Sequence, residues 1–222
     1  MSMVSDAATL VQGTPEWKEA RLGKFTASRF AEPMTQPKTK AAREAGELSQ
    51  TARSYMLEVL AEQLTRQEKD TYTTKAMKWG INNEPDARDV YEARTGLEVT
   101  EVGFVTHPEE PMIGGSPDGL VGEDGGIEIK CPFNSSVHLE YMLGGVLPKA
   151  HVPQVQGLMW ITGRRWWDFV SFDPRIPPKL GLALWRLRVE RDEEYIEDLE
   201  RAVFAFRDKL QETLCRLKET TT

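Results

Sequence analysis

Apolar positions recur at three- and four-residue steps along much of the chain, the spacing of a single helical face. Tyr55, Leu57, Leu60, Ala61 and Leu64 form one such stripe, with Ser49 placed to cap its start. A second helix is predicted from about Thr74 to Thr95, ended by Gly96. Glu16 to Arg21 and Ala27 to Ala31 read as short helical pieces, and Thr35 to Gly46 as a loop. From Leu97 the pattern changes. Leu97 to Val105 is rich in β-branched residues and reads as a strand, as does Met112 to Ser116. Leu120-Val121 and Ile127 to Lys130 flank Glu123-Asp124-Gly125-Gly126, turn material that implies a hairpin or meander. Helical spacing returns at Val137 to Leu143 and at Val152 to Thr162, while Trp166 to Phe172 and Leu184 to Val189 read as strands. The last element is long: Ile196, Leu199, Val203, Phe206, Leu210, Leu214 and Leu217 line one face of a helix over about 192–218. This order predicts a single α/β domain over 1–222. Its central sheet would be mixed and mostly antiparallel, flanked by helices, after a short flexible N-terminus over about 1–13.

The length of 222 residues is enough for one full-sized core. Hydrophobic residues at 40% and charged residues at 28% exclude disorder as the main state. No apolar run is long enough for a bilayer span, and Met1 to Val11 lacks the basic start of a secretory signal. Two cysteines, Cys131 and Cys215, give neither a disulfide scaffold nor a four-cysteine metal site, so a reducing, cytoplasmic setting is expected. His107, His138 and His151 are not spaced like zinc ligands. A net charge of -7 excludes a nonspecific nucleic-acid coat, because repulsion from phosphate would dominate. It still allows DNA binding on a surface where basic groups gather.

The sharpest chemical signal is Gly115-Ser116-Pro117-Asp118-Gly119 followed by Glu128-Ile129-Lys130. Strand alternation places Glu128 and Lys130 on one face, expected toward a cleft, and Ile127 and Ile129 on the other, expected toward the core. A hairpin would return Asp118 beside Glu128. Two carboxylates on neighbouring strands make a hard-oxygen site for Mg²⁺, to which the Ile129 carbonyl adds a ligand. Lys130 would orient a water and offset charge as a phosphodiester is hydrolysed. A surface cross-strand ion pair is the plain alternative for Glu128 and Lys130.

The residues around this constellation resemble the phage λ-exonuclease group, or YqaJ-type viral recombinases, of the PD-(D/E)xK nuclease superfamily. The likeness is carried by Trp17, Arg21, Gly23 and Thr26-Ala27-Ser28, then by Trp79-Gly80, Glu84 and Ala87-Arg88. The catalytic block itself follows, running on into Cys131-Pro132-Phe133. Leu143-Gly144-Gly145, Gln154-Val155-Gln156, Met159-Trp160 and Asp173-Pro174-Arg175 come next in the family's order. It implies a restriction-endonuclease-like core and a Mg²⁺-dependent, processive 5′→3′ exonuclease on linear double-stranded DNA, leaving a 3′ single strand for recombination. It also implies two ions per site, with Mn²⁺ as a possible substitute.

Carried over by position, Asp118 and Glu128 are metal ligands with the Ile129 carbonyl, Lys130 is the catalytic lysine, and Glu84 and Gln156 approach the metal site. Arg21, Ser28 and Ser116 form a 5′-phosphate pocket. Lys38, Lys40 and Arg43 touch DNA ahead of the site, and Met77 falls where the family places an apolar wedge at the separating strands. The chain departs from the pattern at Ser136, where the family has a phosphate-pocket arginine. Either another cation such as Lys149 or His138 replaces it, or phosphate dependence is weaker. The resemblance further implies a homotrimeric ring, a single-strand annealing protein as partner, no membrane, and a phage or prophage gene acting in the bacterial cytoplasm. An endonuclease of the same superfamily and a non-catalytic DNA-end clamp are the rival readings.

Overall fold

The computed structural model describes residues 6–69 and 72–219. Helix α1 (Pro15–Arg21) starts at Thr14, whose hydroxyl accepts from the Trp17 amide, with Pro15 in the first turn where no amide is needed. Strand β1 (Phe25–Thr26) and a 3₁₀ turn (Ala27–Arg29) follow. The stretch read as a loop contains a short helix, α2 (Lys40–Glu44), capped by the Thr39 hydroxyl. Helix α3 (Gln50–Thr65) is capped by Ser49 as expected, and α4 (Lys75–Thr95) by Thr74. Helix α4 ends at Gly96, whose φ of 69° suits a residue without a Cβ.

The run Leu97 to Val105 is two short strands rather than one. Strand β2 (Val99–Thr100) pairs with β5 (Gly119–Val121), whereas β3 (Val105–Thr106) pairs with β4 (Ile113–Gly115) in a different sheet. Between them the Gly103 amide donates to Ala8 O, so the chain changes sheets there. Ala8 is buried within a 3₁₀ turn (Asp6–Thr9), inside the segment expected to be flexible; residues 1–5 of that segment lie outside the described residues.

Strand β6 (Gly125–Lys130) is followed by α5 (Ser135–Gly144), α6 (Val152–Thr162), β7 (Trp166–Phe172), β8 (Leu184–Glu190) and α7 (Glu193–Glu219). The main sheet runs β2-β5-β6-β7-β8 and is antiparallel except at β6/β7; a smaller sheet runs β1-β4-β3. Gly125 and Gly126, read as turn residues, belong to β6. They face Trp166 and Trp167 across the parallel pair, and a Cβ on Gly126 would lie 2.3 Å from the Trp167 ring. The indoles fill the space these glycines leave.

Strand β6 is buried on both faces. Ile127 and Ile129 pack with Ala87 and Tyr91 of α4. The opposite face carries Trp167 and Phe169, packed under α6 and under Ile196, Leu199, Val203, Phe206 and Leu210 of α7. Each such side chain contributes roughly 1.5–3 kcal/mol relative to exposure, which assigns that part of the C-terminal stripe to the core. Leu217 is left exposed.

Candidate active site

The β5/β6 hairpin brings the acidic residues together. Asp118 immediately precedes β5, and its Oδ2 accepts from the Ile129 amide at 2.6 Å. Glu128 lies on the α6 face of β6 and is only 1% exposed. The expectation of a Glu128 open to a cleft is corrected here: α6 covers it, because the central strand of a helix-flanked sheet is buried on both sides. Its Oε1 accepts from Gln154 Nε2 at 2.7 Å and is paired with Lys130 Nζ. Among the described residues its Oε2 is buried with no hydrogen-bond partner. Lys130 opens onto a cleft of about 520 Å³ lined also by Glu84, Asp118, Met77 and Phe133.

Glu84, on α4, is tied by Arg88 at 3.1 Å, one helical turn on. The same guanidinium pairs with Glu101 at 3.1 Å and donates to Asp118 O at 3.4 Å. Arg88 thus joins α4 to the acidic cluster, a role that its place in the sequence pattern only hinted at.

Burial, then the Glu128 and Glu84 charges, raise the Asp118 carboxyl well above the usual range, against Lys130 and the Ile129 amide. Burial, opposed by Arg88 and reinforced by Glu128, raises Glu84. For Lys130 burial alone would lower the ammonium, but Glu128 and Asp118 outweigh it and raise it. The Cys131 thiol is pushed up to about 12 by burial and by Glu84 and Asp118, so it stays protonated, in line with a packing role.

A divalent cation fits this cluster. Mg²⁺ commonly binds through one or two carboxylates and keeps several waters. Asp118 and Glu128 supply the carboxylates, and the orphaned Glu128 Oε2 is an acceptor with nothing to accept from. Among the described residues no three acidic, histidine or cysteine side chains close into a complete protein cage, so water or substrate oxygens would complete the shell.

Gln156 does not reach the cluster. Its Nε2 donates to Glu190 O and its Oε1 accepts from the Asp192 amide, both at 3.0 Å, which ties the end of β8 to α6. Gln154, two residues earlier, is the α6 glutamine that reaches Glu128.

The three residues expected to form a phosphate pocket do meet. Trp17 Nε1 and Arg21 NH1 both donate to Ser116 Oγ, at 3.0 and 2.9 Å. Arg21, Ser28 and Ser116 line a cavity of about 190 Å³ together with Gln154, which links it to Glu128. Burial lowers Arg21. His138 is no substitute cation: it is fully buried, with Nδ1 on Ser171 Oγ at 2.7 Å and Nε2 on Leu182 O at 2.9 Å. Lys149 and Ser136 are exposed and line neither cavity. Lys40 pairs with Glu44, and Arg43 NH1 donates to Pro37 O and Lys38 O, so much of this basic segment is engaged within itself. Lys38 is exposed, and Met77 is half-exposed at the cleft.

Asp173 and Arg175, the last block of the resemblance, form a brace. Asp173 is fully buried and pairs with Arg175, which also donates to Phe133 O and Pro132 O and lies 4.6 Å from the Trp79 ring. This braces the segment after Lys130 against α4.

A family model for the YqaJ-like viral recombinase domain matches residues 16–165, which contain Glu84, Asp118, Glu128 and Lys130 as well as Arg21, Ser28 and Ser116. The chain belongs to this family. An alkaline exonuclease from Laribacter hongkongensis, also solved in complex with dAMP, is 39% identical. The match covers 94% of this chain and 98% of that one, with a TM-score of 0.83. A phage-related exonuclease from Haemophilus somnus 129PT, 20% identical over 87% of this chain and 96% of its own, shares the fold at a TM-score of 0.66. The Escherichia coli K12 protein ExoD is 31% identical over 81 residues, 36% of this chain and 90% of that protein. Family and structural likeness together support a phage-type exonuclease. Among the described residues no helix is long and apolar enough to cross a membrane.

Proposed function

We propose that this chain is a Mg²⁺-dependent exonuclease that degrades the 5′-ended strand of linear double-stranded DNA and leaves a 3′ single strand for recombination by annealing. The observation that carries this reading is the shared Gln154: it lines the anion pocket and donates to Glu128 in the acidic cluster. A pocket for a terminal phosphate abutting a hydrolytic centre suits end-directed cleavage. An endonuclease needs the strand to continue past the site instead.

In this reading Asp118 and Glu128, with the Ile129 carbonyl, hold one or two divalent ions, with Mn²⁺ able to replace Mg²⁺. A divalent ion there supplies Lewis-acid polarisation of the phosphodiester and a more acidic attacking water. Lys130 orients that water and offsets developing charge, and Glu84 borders the site from α4. Arg21, Ser28 and Ser116 take the 5′ phosphate and so position the adjacent phosphodiester. Met77 unstacks the end as the strands part, and Lys38, with Lys40 and Arg43, lies against the duplex ahead. A homotrimeric ring would keep the DNA enclosed, and a single-strand annealing protein would receive the exposed strand.

The test is linear duplex with a 5′ phosphate, labelled separately on each strand, incubated with Mg²⁺ or EDTA beside a circular control. Mg²⁺-dependent loss of the 5′-ended strand alone, with circles spared, is expected. Cut circles would mean an endonuclease. End binding without cleavage would mean a clamp.

A further inference from the structure

The phosphate pocket lacks the cation that the family pattern places at Ser136, and the two substitutes suggested by sequence do not reach it. The structure offers a different lysine. Lys24 directly precedes β1, in which Phe25 points into the core and Thr26 lines the 190 Å³ pocket. Lys24 itself stands in the bend before this strand, beside the segment that lines the pocket.

Two further observations place it there. Lys24, Arg21, Thr26 and Ser28 all line one groove of about 490 Å³, and the last three also line the phosphate pocket. The Lys24 ammonium lies 5.1 Å from the Phe104 ring and the Arg21 guanidinium 5.9 Å from that same ring. The other groove cations are neutralised: Lys18 pairs with Glu68, Lys69 with Glu58, and Arg29 with Glu32 and Glu58. Among the described residues Lys24 has no carboxylate partner. Burial lowers its pKa, the condition of an ammonium short of a counter-anion.

We propose that Lys24 is the second cation of the 5′-phosphate pocket, binding the terminal phosphate beside Arg21 in place of the arginine absent at Ser136. The proposal rests on the end-directed reading above. A phosphomonoester carries close to two charges at neutral pH, so a second cation raises affinity for phosphorylated ends over hydroxyl ends.

The experiment compares wild type, Lys24→Gln and Lys24→Arg on linear duplexes with a 5′ phosphate or a 5′ hydroxyl. Degradation with Mg²⁺ gives the ratio of kcat/KM for the two ends. Anisotropy with Ca²⁺ in place of Mg²⁺ gives the ratio of affinities without relying on turnover. Lys24→Gln should lower both ratios about tenfold, through KM, while the hydroxyl-ended substrate behaves as with wild type; Lys24→Arg should retain the preference. Unchanged ratios in Lys24→Gln, or equal losses on both ends, would overturn the assignment. Wild type that binds the two ends alike would remove the phosphate pocket and Lys24's role with it. Wild type that prefers phosphorylated ends but cleaves nothing would sink the exonuclease reading and leave Lys24 to be judged on the affinities.

Discussion

Gln154 and Gln156 stand two residues apart on α6, about 200° around the helix, so their side chains leave in nearly opposite directions. Both were visible in the sequence as one block, and nothing in that block said which one faced Glu128. The answer depends on the rotation of α6 against β6, a tertiary quantity. The consequence is a pair of opposite phenotypes. Gln154→Ala should lower activity or metal affinity by about 10–100-fold with the fold intact, because Gln154 orients a ligand carboxylate from behind. Gln156→Leu should leave the Asp192 amide and the Glu190 carbonyl unpaired, costing about 1–3 kcal/mol, with activity per folded molecule unchanged. Chemical denaturation and a Mg²⁺ titration of both variants would separate them; reversed results would restore Gln156 to the site. The grouping of Asp118, Glu128 and Lys130 was legible because they are close in sequence and share a hairpin. The pairing of Arg88 with Glu84 was legible from their i,i+4 spacing, but its further contacts with Glu101 and Asp118 were not, because they depend on how α4 packs against the sheet. A second residue-scale expectation concerns His151, whose pKa burial and then Lys130 lower to about 4. An unfolded histidine takes its proton near about 6.5. The folded state therefore loses stability from this group as pH falls from about 6.5 toward about 4, and keeps it in full above that window. His151→Phe retains the ring contact with Phe169 at 5.1 Å and removes the titration. Its Tm relative to wild type should be higher at pH 5 than at pH 7. A difference independent of pH would show an ordinary histidine.

At the scale of elements, the long periodic segments were readable: α4, α6, β7 and α7 fall within a residue or so of their expected bounds. The errors lie where one local pattern serves two partners. Leu97 to Val105 is uniformly β-prone, yet its two ends pair in different sheets, and only the partners reveal the break. Gly125 and Gly126 carry turn chemistry, yet they are strand residues because two indoles on β7 occupy their missing side-chain volume. That packing gives a direct expectation. Gly126→Ala puts a methyl into the Trp167 ring, which is itself fully buried and has no free direction to move. Overpacking of this kind costs about 1–3 kcal/mol. The loss should be largely recovered in a double variant with Trp167→Phe, which frees the space where the methyl lands. Urea denaturation of the two single variants and the double variant reads this coupling, and simple additivity would mean that the glycine matters for the backbone instead. Because Glu128 lies two residues along the same strand, Gly126→Ala should also depress activity more than its stability loss explains.

The whole molecule poses an electrostatic question. Its net charge is -7, yet the proposed substrate is a polyanion. Attraction has to be local, and the groove of about 490 Å³, where Arg21 and Lys24 stand beside the ion-paired Lys18, Arg29 and Lys69, is where cations gather against the general trend. End binding should then weaken as monovalent salt rises, with a log–log slope set by a few phosphate contacts, roughly −0.7 to −0.9 for each. A slope of many units would mean a broad cationic surface that the net charge argues against. The processivity that the resemblance implies would be hard to explain for one chain alone, since each cycle would risk release of the end. The proposed ring would answer this: with an acidic exterior it would repel duplex outside and release enclosed duplex only at an end. For the homotrimer proposed above, light scattering should give three chain masses. A trap of excess unlabelled duplex, added after the first turnovers, should block new starts while digestion of already bound molecules continues at its initial rate. Digestion that stops when the trap is added, together with a single chain mass, would leave end affinity as the whole of the attachment and would remove the ring. Three chain masses with the same sensitivity to the trap would place the assembled faces away from the DNA path.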